Sequence, residues 1–436
     1  MTVAPDRPAG GSRAIARTAL LLLPLQVVFR GGEAVLPLLL ATWFGRNADT
    51  DLYYLLAAYF IFASAFVAGA FQDSGVVPVL VEVAQASPGD FPDVAGALLS
   101  YTLIIGGGVA AATGSLATAG LALASKGSRL AYALVVAMAV GVLVTGIRSY
   151  YVGLLNARGR FRAHPLCSGV GMALTLSLLY SSRRALGVVA IPCAVIAGDT
   201  LAIALLAWVA ANAFGVRARP SLQRLEPVQR MLRLVRLEVA GSLITRINPV
   251  VDQLVAGLAA VVGGGTILRY ATDVASLPTS VLQATLFPVL LTRLAEETAR
   301  PARFLATTKE TLAAVVAILA VASGALALAR GPLCSLLFLH GAMDASGVAR
   351  IASVLPWALA GVAPFGALLV LARAHVALQN SRIMPSMGVL NSALNAGLNL
   401  LLVGPLGLGG IALSTSITYV VVASVFWWRL PGPARA

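Results

Sequence analysis

Charge is what this 436-residue chain has least of: Asp, Glu, Lys and Arg together make up 11%, against about a quarter in soluble domains. Cysteine and histidine are scarce as well, with three of each. Cys167, Cys193 and Cys334 have neither metal-ligand spacing nor an even-numbered disulfide framework, and read as buried small hydrophobes. No G-x-x-x-x-G-K-[ST] run occurs, and no connection between apolar runs is long enough to hold an ATPase module. Any driving force is therefore a Na+ or H+ gradient, the membrane potential or the gradient of the cargo. No cofactor and no catalytic constellation is indicated. The net charge of +14 comes from basic residues scattered over several short loops without interleaved aromatics. That pattern suits anionic lipid headgroups and not nucleic acid.

Apolar sequence is abundant. Hydrophobic residues reach 59% and mean hydropathy is +0.89. Stretches of about 20 apolar residues, enough to cross the hydrocarbon core as a helix, recur over 18–44, 52–80, 94–124, 130–155, 165–182, 186–213, 238–262, 266–291, 307–330, 350–373, 384–403 and 407–428. The expectation is an all-α polytopic membrane protein of about twelve transmembrane helices. Arg30 and Glu33 interrupt the first run, and no small-residue cleavage site precedes them, so it reads as a retained helix and not a signal peptide. With both termini inside, 19 of the 31 basic residues fall in cytoplasmic segments, 7 in outer segments and 5 within spans. The positive-inside bias thus favours N-in/C-in.

The chain divides into a cytoplasmic tail (1–17), six spans (18–214), a basic linker (215–237), six further spans (238–428) and a second tail (429–436). Corresponding places in the halves are alike. GVVPVLVEVAQ (75–85) and TLFPVLLTRLAEE (285–297) each carry a proline before an amphipathic tail, while LLNARGRFRAHP (154–165) and LQNSRIMP (378–385) each hold Asn-x-Arg. Two six-helix lobes in parallel orientation follow, pseudo-symmetric about an axis along the membrane normal, with a central cavity between them and alternating access as the mechanism.

Ionisable groups inside apolar runs are costly and mark pathways. Here they include Arg30, Glu33, Arg148, Asp199, Arg246, Asp252, Arg269, Asp273 and Arg373. Arg148 reads as structural, either snorkelling or pairing with Asp199. Arg373 and His375 read as interfacial, His164 and His340 as solvated turn residues, and Asp49 and Asp51 as helix caps. The glycine triplets 106–108 and 263–265 read as close packing and a turn.

Several segments are similar to one known family. They are ATWFGRNADTDLYYLLAAY (41–59), GAFQDSGVVPVLVE (69–82), GLLNARGRF (153–161), RYATDVASLPTSVLQATLFPVLLTRLAE (269–296), LLFLHGAMDASG (336–347) and LNAGLNLLLVGPLGLGGIALSTS (394–416). In order and over nearly the whole chain, these resemble the MurJ (MviN) lipid II flippases. The resemblance implies the multidrug/oligosaccharidyl-lipid/polysaccharide exporter fold in a bacterial inner membrane. It implies as cargo an undecaprenyl-pyrophosphate-linked glycan of cell-wall and peptidoglycan biosynthesis, either lipid II or a related envelope precursor. Family members have an arginine-rich cavity. Arg30 matches the earlier first-helix arginine, but the later one falls at Leu36, and AYFIFASAF (58–66) lacks the arginine pair of the second helix. The eighth-helix motif has become Arg269-Tyr270-Ala271-Thr272-Asp273.

On that footing Arg30, Glu33, Arg246, Arg269 and Asp273 are the candidate substrate-binding residues, because guanidinium is a planar bidentate donor for pyrophosphate. A self-neutralising structural role is the competing account of the two acid–base pairs. The family also has members with a cation site, which by position would be Asp252, Asn395, Asn399 and Thr415; interhelical hydrogen bonding is the alternative there. Membrane lipids and envelope-synthesis proteins are the expected partners. Competing functions are a multidrug or organic-cation exporter, which calls for a net acidic cavity, and a transport-inactive scaffold of envelope synthesis. A membrane glycosyltransferase lacks the outer acidic cluster it needs.

Overall fold

The computed structural model describes residues 35–430 except 69–75, 88, 125, 161, 215–219, 224, 233–246, 260, 379 and 381–382. Helix α1 (Val35–Phe44) is followed by α2 (Ala48–Ala65), α3 (Val77–Ala86), α4 (Phe91–Leu123), α5 (Arg129–Ala157), α6 (Ala163–Leu186) and α7 (Ala190–Phe214). A short α8 covers 226–232. Then come α9 (Asn248–Ala256), α10 (Gly264–Glu297), α11 (Pro301–Leu328), α12 (Arg330–Phe338), α13 (Ala345–Leu359), α14 (Val362–Ala377), α15 (Ile383–Leu406) and α16 (Leu408–Trp428).

No strand occurs among the described residues. Among the described residues, eight helical stretches are long and apolar enough to cross a membrane, and one of them, 163–212, takes in α6 and most of α7. The chain is an all-α polytopic membrane protein. The expected first and seventh spans reach into the described residues only as α1 and α9. The expected tenth span is two helices, α13 and α14, broken at Ala360–Gly361. There α16 comes close: a Cβ on Gly361 would lie 2.6 Å from Ser416 Oγ. The connection after α11, read from sequence as loop, contains the nine-residue α12.

The residues form two compact units. One is built on Val67–Leu116 and Val136–Arg233; the other combines Leu38–Phe66, Ala117–Val135 and Leu234–Ala436. In the first unit, Tyr150 is fully buried and its hydroxyl donates to Ala95 O at 2.7 Å. Helices α6 and α7 touch backbone to backbone, since a Cβ on Gly171 would lie 2.5 Å from Gly198 O. Small residues permit this approach, and packing of this kind holds helices together where lipid removes the hydrophobic drive. Val228 and Met231 of α8 are buried, Arg230 pairs with Glu82, and the Arg158 guanidinium lies 4.1 Å from the centre of the Phe91 ring.

The second unit packs around Tyr270, Phe338, Ile351, Leu355 and Ile411, all nearly or fully buried. Three loops interlock at one end of it. Gly45 and Gly341 both take positive φ (63° and 59°), and Ala342 N donates to Thr42 O at 2.7 Å. A Cβ on Gly341 would lie 2.2 Å from that same oxygen, so both the conformation and the approach require glycine. Arg46 grips Asp344 through Nε (2.9 Å) and Nη2 (3.2 Å), and also donates to Ser346 Oγ and Val262 O. Arg46 and Ser346 hold the Asp344 carboxyl well below the usual carboxylate range.

Asp51 corrects part of the sequence reading. The cap of α2 is Asn47, in a capping box with Thr50. Asp51 instead caps a distant helix. It accepts from Gly263 N at 2.7 Å and from Thr266 N and Oγ1 at 2.9 Å each, at the start of α10. Helix starts present unsatisfied N–H groups and a positive partial charge, which a carboxylate neutralises.

Asp51→Ala is expected to destabilise the solubilised protein by about 1–3 kcal/mol, the loss of a cap plus stranded donors, whereas exposed Asp49→Ala stays within about 0.5 kcal/mol. Thermal unfolding followed by intrinsic fluorescence checks this, and equal shifts contradict it. Because the Asp344 value is lowered, its stabilisation is present above the ordinary carboxylate value of about 3.9 and is lost only as pH falls through the lower folded value. The difference in unfolding midpoint between wild type and Asp344→Asn should therefore be flat from about pH 7 to pH 5; a decline within that window contradicts it.

Candidate functional site

Two groups of polar side chains lie inside the second unit. The first joins α9, α15 and α16. Asn395 and Asn399 are one turn apart on α15 and both fully buried. Asn399 Nδ2 donates to Asp252 Oδ1 at 2.7 Å and to Asn395 Oδ1 at 3.1 Å. Asn395 Nδ2 donates to Thr415 Oγ1 at 2.9 Å. Ser414 donates to Asn399 Oδ1, closing the chain of bonds. The structure thus brings together all four residues singled out as a possible cation site, and adds Ser414.

One carboxylate, two amides and two hydroxyls form a hard oxygen donor set with a single formal negative charge, which fits a small monovalent cation better than a divalent one. As the side chains stand, the amide nitrogens point at Asp252 and Thr415, so the network is satisfied by hydrogen bonds. Ion binding requires both amides to turn over, putting oxygen where nitrogen now sits. Among the described residues, no group of three or more His, Cys, Asp and Glu is placed to hold a metal.

The second group is on α10. Arg269 Nε lies 3.0 Å from Asp273 Oδ1 and 3.1 Å from Oδ2, and the pair is half-buried. Aromatic rings flank this stretch of helix: Tyr54 meets Tyr270 edge-on with centroids 5.7 Å apart, Tyr53 meets Tyr54 at 5.0 Å, and Tyr270 stacks on Phe338 at 5.2 Å. Arg269 is in the second turn of α10, so a guanidinium–carboxylate pair stands close to the helix start that Asp51 caps. Ser414 and the tyrosines escaped sequence reasoning. Ser414 is adjacent to Thr415 in a Ser-Thr-Ser run (414–416), which is a usable signal; Tyr54 and Tyr270 become neighbours only through the fold.

In the first unit, Arg148 Nη1 pairs with Asp199 Oδ1 at 3.0 Å across α5 and α7, the second of the two structural roles read from the sequence. Arg30, Glu33 and Arg246 lie outside the described residues. Three other expectations are corrected. His375 is fully buried rather than interfacial, with Nε2 2.9 Å from Phe426 O. His164 is in the first turn of α6, 3.0 Å from Ser168 Oγ, and is not a solvated loop residue. Cys193 is exposed, unlike the buried Cys167 and Cys334; in a lipid-facing helix, an apolar thiol loses nothing by facing outward.

Comparison with known proteins places this geometry. The family described as "Lipid II flippase MurJ" matches residues 40–433. A solved structure titled as lipid II flippase MurJ in an inward closed conformation superposes with a TM-score of 0.78. It is 16% identical, over 95% of this chain and 88% of that one. An inward-facing multidrug resistance MATE family transporter of the MOP superfamily gives 0.75 at 14% identity, over 94% and 97%. A MATE structure in a bent conformation gives 0.64 at 14% identity, over 94% and 93%. No curated protein sequence matches significantly. At such identities the structural likeness establishes the fold, and the family match over almost the whole length establishes the kinship: the chain belongs to the MurJ lipid II flippase family.

Proposed function

We propose that this protein flips an undecaprenyl-pyrophosphate-linked glycan, lipid II or a related cell-envelope precursor, across the bacterial inner membrane by alternating access of two lobes. The observation that carries this reading is the family match over residues 40–433. It agrees with a membrane chain whose few internal charges include arginine, the residue suited to pyrophosphate. In this account Arg30, Arg246 and Arg269 contact the pyrophosphate during the cycle. Glu33 and Asp273 hold the arginines between cargo encounters, as Asp273 holds Arg269 at 3.0 Å. The glycan headgroup crosses while the polyprenyl tail stays in lipid. Both termini are inside, the orientation that the basic-residue bias favours, and envelope-synthesis proteins supply and consume the cargo.

Asp252, with Asn395, Asn399, Ser414 and Thr415, is proposed to couple transport to Na+ or H+. Its carboxylate is the lone acid of a buried network, and removing its charge abolishes the ion's counter-charge without emptying the site. The MATE-like fold gives a second reading, export of an organic cation. The Arg269–Asp273 pair, neutral overall, counts against it, because a cationic cargo needs surplus acid.

The test is translocation in proteoliposomes with fluorescent undecaprenyl-pyrophosphate-linked sugars, under an ion gradient and under a membrane potential. Movement is expected with the wild type, and a fall of roughly tenfold or more in Arg269→Ala and Arg30→Ala, on the scale of one lost charge-assisted bond. Asp252→Asn should keep basal movement and lose its dependence on the gradient. Folded protein that moves no lipid-linked glycan under either condition contradicts the proposal.

A further inference from the structure

Helix α12 and helix α13 enclose a cleft of about 400 Å³, within the size range of small-molecule sites. One face of α13 supplies Ala345, Val348, Ala349 and Ala352, at the i, i+3, i+4, i+7 spacing of a single stripe. Gly331 and Leu339 line it from the α12 side, so the lining is mostly apolar and small. One charged residue, Arg330, lines it among the described residues. Among the described residues no carboxylate pairs with Arg330, and Asp344, the residue before α13, is already held by Arg46.

The position of Arg330 along the membrane normal follows from the sequence. Residues 311–329 contain no ionisable side chain, and Arg330 ends that run. Nineteen helical residues rise about 28 Å, close to the hydrocarbon thickness of about 30 Å. Arg330 therefore stands at the level of lipid phosphates. The helix surface on either side of Arg330 is apolar and exposed: Leu328 is 90% exposed and Leu336 72% exposed. A guanidinium at phosphate depth with no acidic partner among the described residues, next to an apolar recess, has the charge and shape of a phospholipid site.

We propose that the α12–α13 cleft binds an anionic phospholipid, with its phosphate on Arg330 and part of one acyl chain in the recess. This site is distinct from the polar groups assigned to cargo and ion, and it stands or falls independently of them.

The experiment is native mass spectrometry of the full chain in detergent, titrated with phosphatidylglycerol or phosphatidylcholine. Phosphatidylglycerol should bind more tightly, and Arg330→Gln should weaken it roughly tenfold, as expected for losing a charge-assisted phosphate contact. Arg350→Gln, on α13 but outside the cleft lining, should leave binding unchanged, and Ala349→Leu should weaken both lipids by filling the recess. Unfolding midpoints without lipid establish that each variant is folded. Equal binding of the two lipids, equal effects of the two arginine substitutions, or displacement of lipid by millimolar inorganic phosphate would overturn the proposal. So would dimer peaks that take the place of lipid adducts, since a second copy would then be the occupant.

Discussion

Hydrocarbon offers no hydrogen bonds, so a charged or strongly polar group carried deep into a membrane helix is costly unless it finds a partner in the protein itself. That constraint organises the structure. Arg148 meets Asp199, Arg269 meets Asp273, and Asp252 meets Asn399. Buried pairs of this kind add little net stability, because desolvation offsets most of their attraction, but breaking one by removing a single partner leaves a stranded charge and is costly. A chain that retains such groups in its apolar runs does so at a cost, and the use we propose for them is transport of a charged headgroup.

The same constraint acts differently at the loops, where water is available. There the polar contacts can be strong and long-range without desolvating both partners. Asp51 reaches the start of α10 and Arg46 reaches Asp344, tying the turn between α1 and α2 to two connections far along the chain. These contacts explain why residues 38–66 cluster with the second unit and not with the span that follows them in sequence. A carboxylate on a helix start, a bidentate arginine and two glycines in left-handed turns together define one tight arrangement of three loops.

How much of this was legible beforehand depends on sequence distance. The spans were legible because a run of apolar residues is a local signal, and so were the pairs at i,i+4, Arg269/Asp273 and Asn395/Asn399, which share a helical face by geometry alone. The Asp51 contact joins residues 212 apart and the Arg46–Asp344 contact joins residues 298 apart; no periodicity encodes either. His375 was misread for a related reason. Its neighbours in sequence look interfacial, but its ring nitrogen meets a carbonyl on α16, and only the fold supplies that partner. The break between α13 and α14 was hidden because apolar residues continue through Ala360–Gly361, so hydropathy registers one span where the backbone makes two. The Asp252 network was reached by family position, and the structure supplies the geometry that the sequence lacked.

The central claim is that this chain recognises a lipid-linked pyrophosphate and not a cation. Ligand-dependent thermal stabilisation of the detergent-solubilised protein tests it most directly, comparing an undecaprenyl-pyrophosphate-linked sugar with a panel of organic cations at matched concentration. A ligand that binds the folded state raises its midpoint according to its occupancy. The account predicts a saturable rise with the lipid-linked pyrophosphate that Arg269→Ala diminishes, and none with the cations. A rise with organic cations alone would contradict it and assign the chain to drug export.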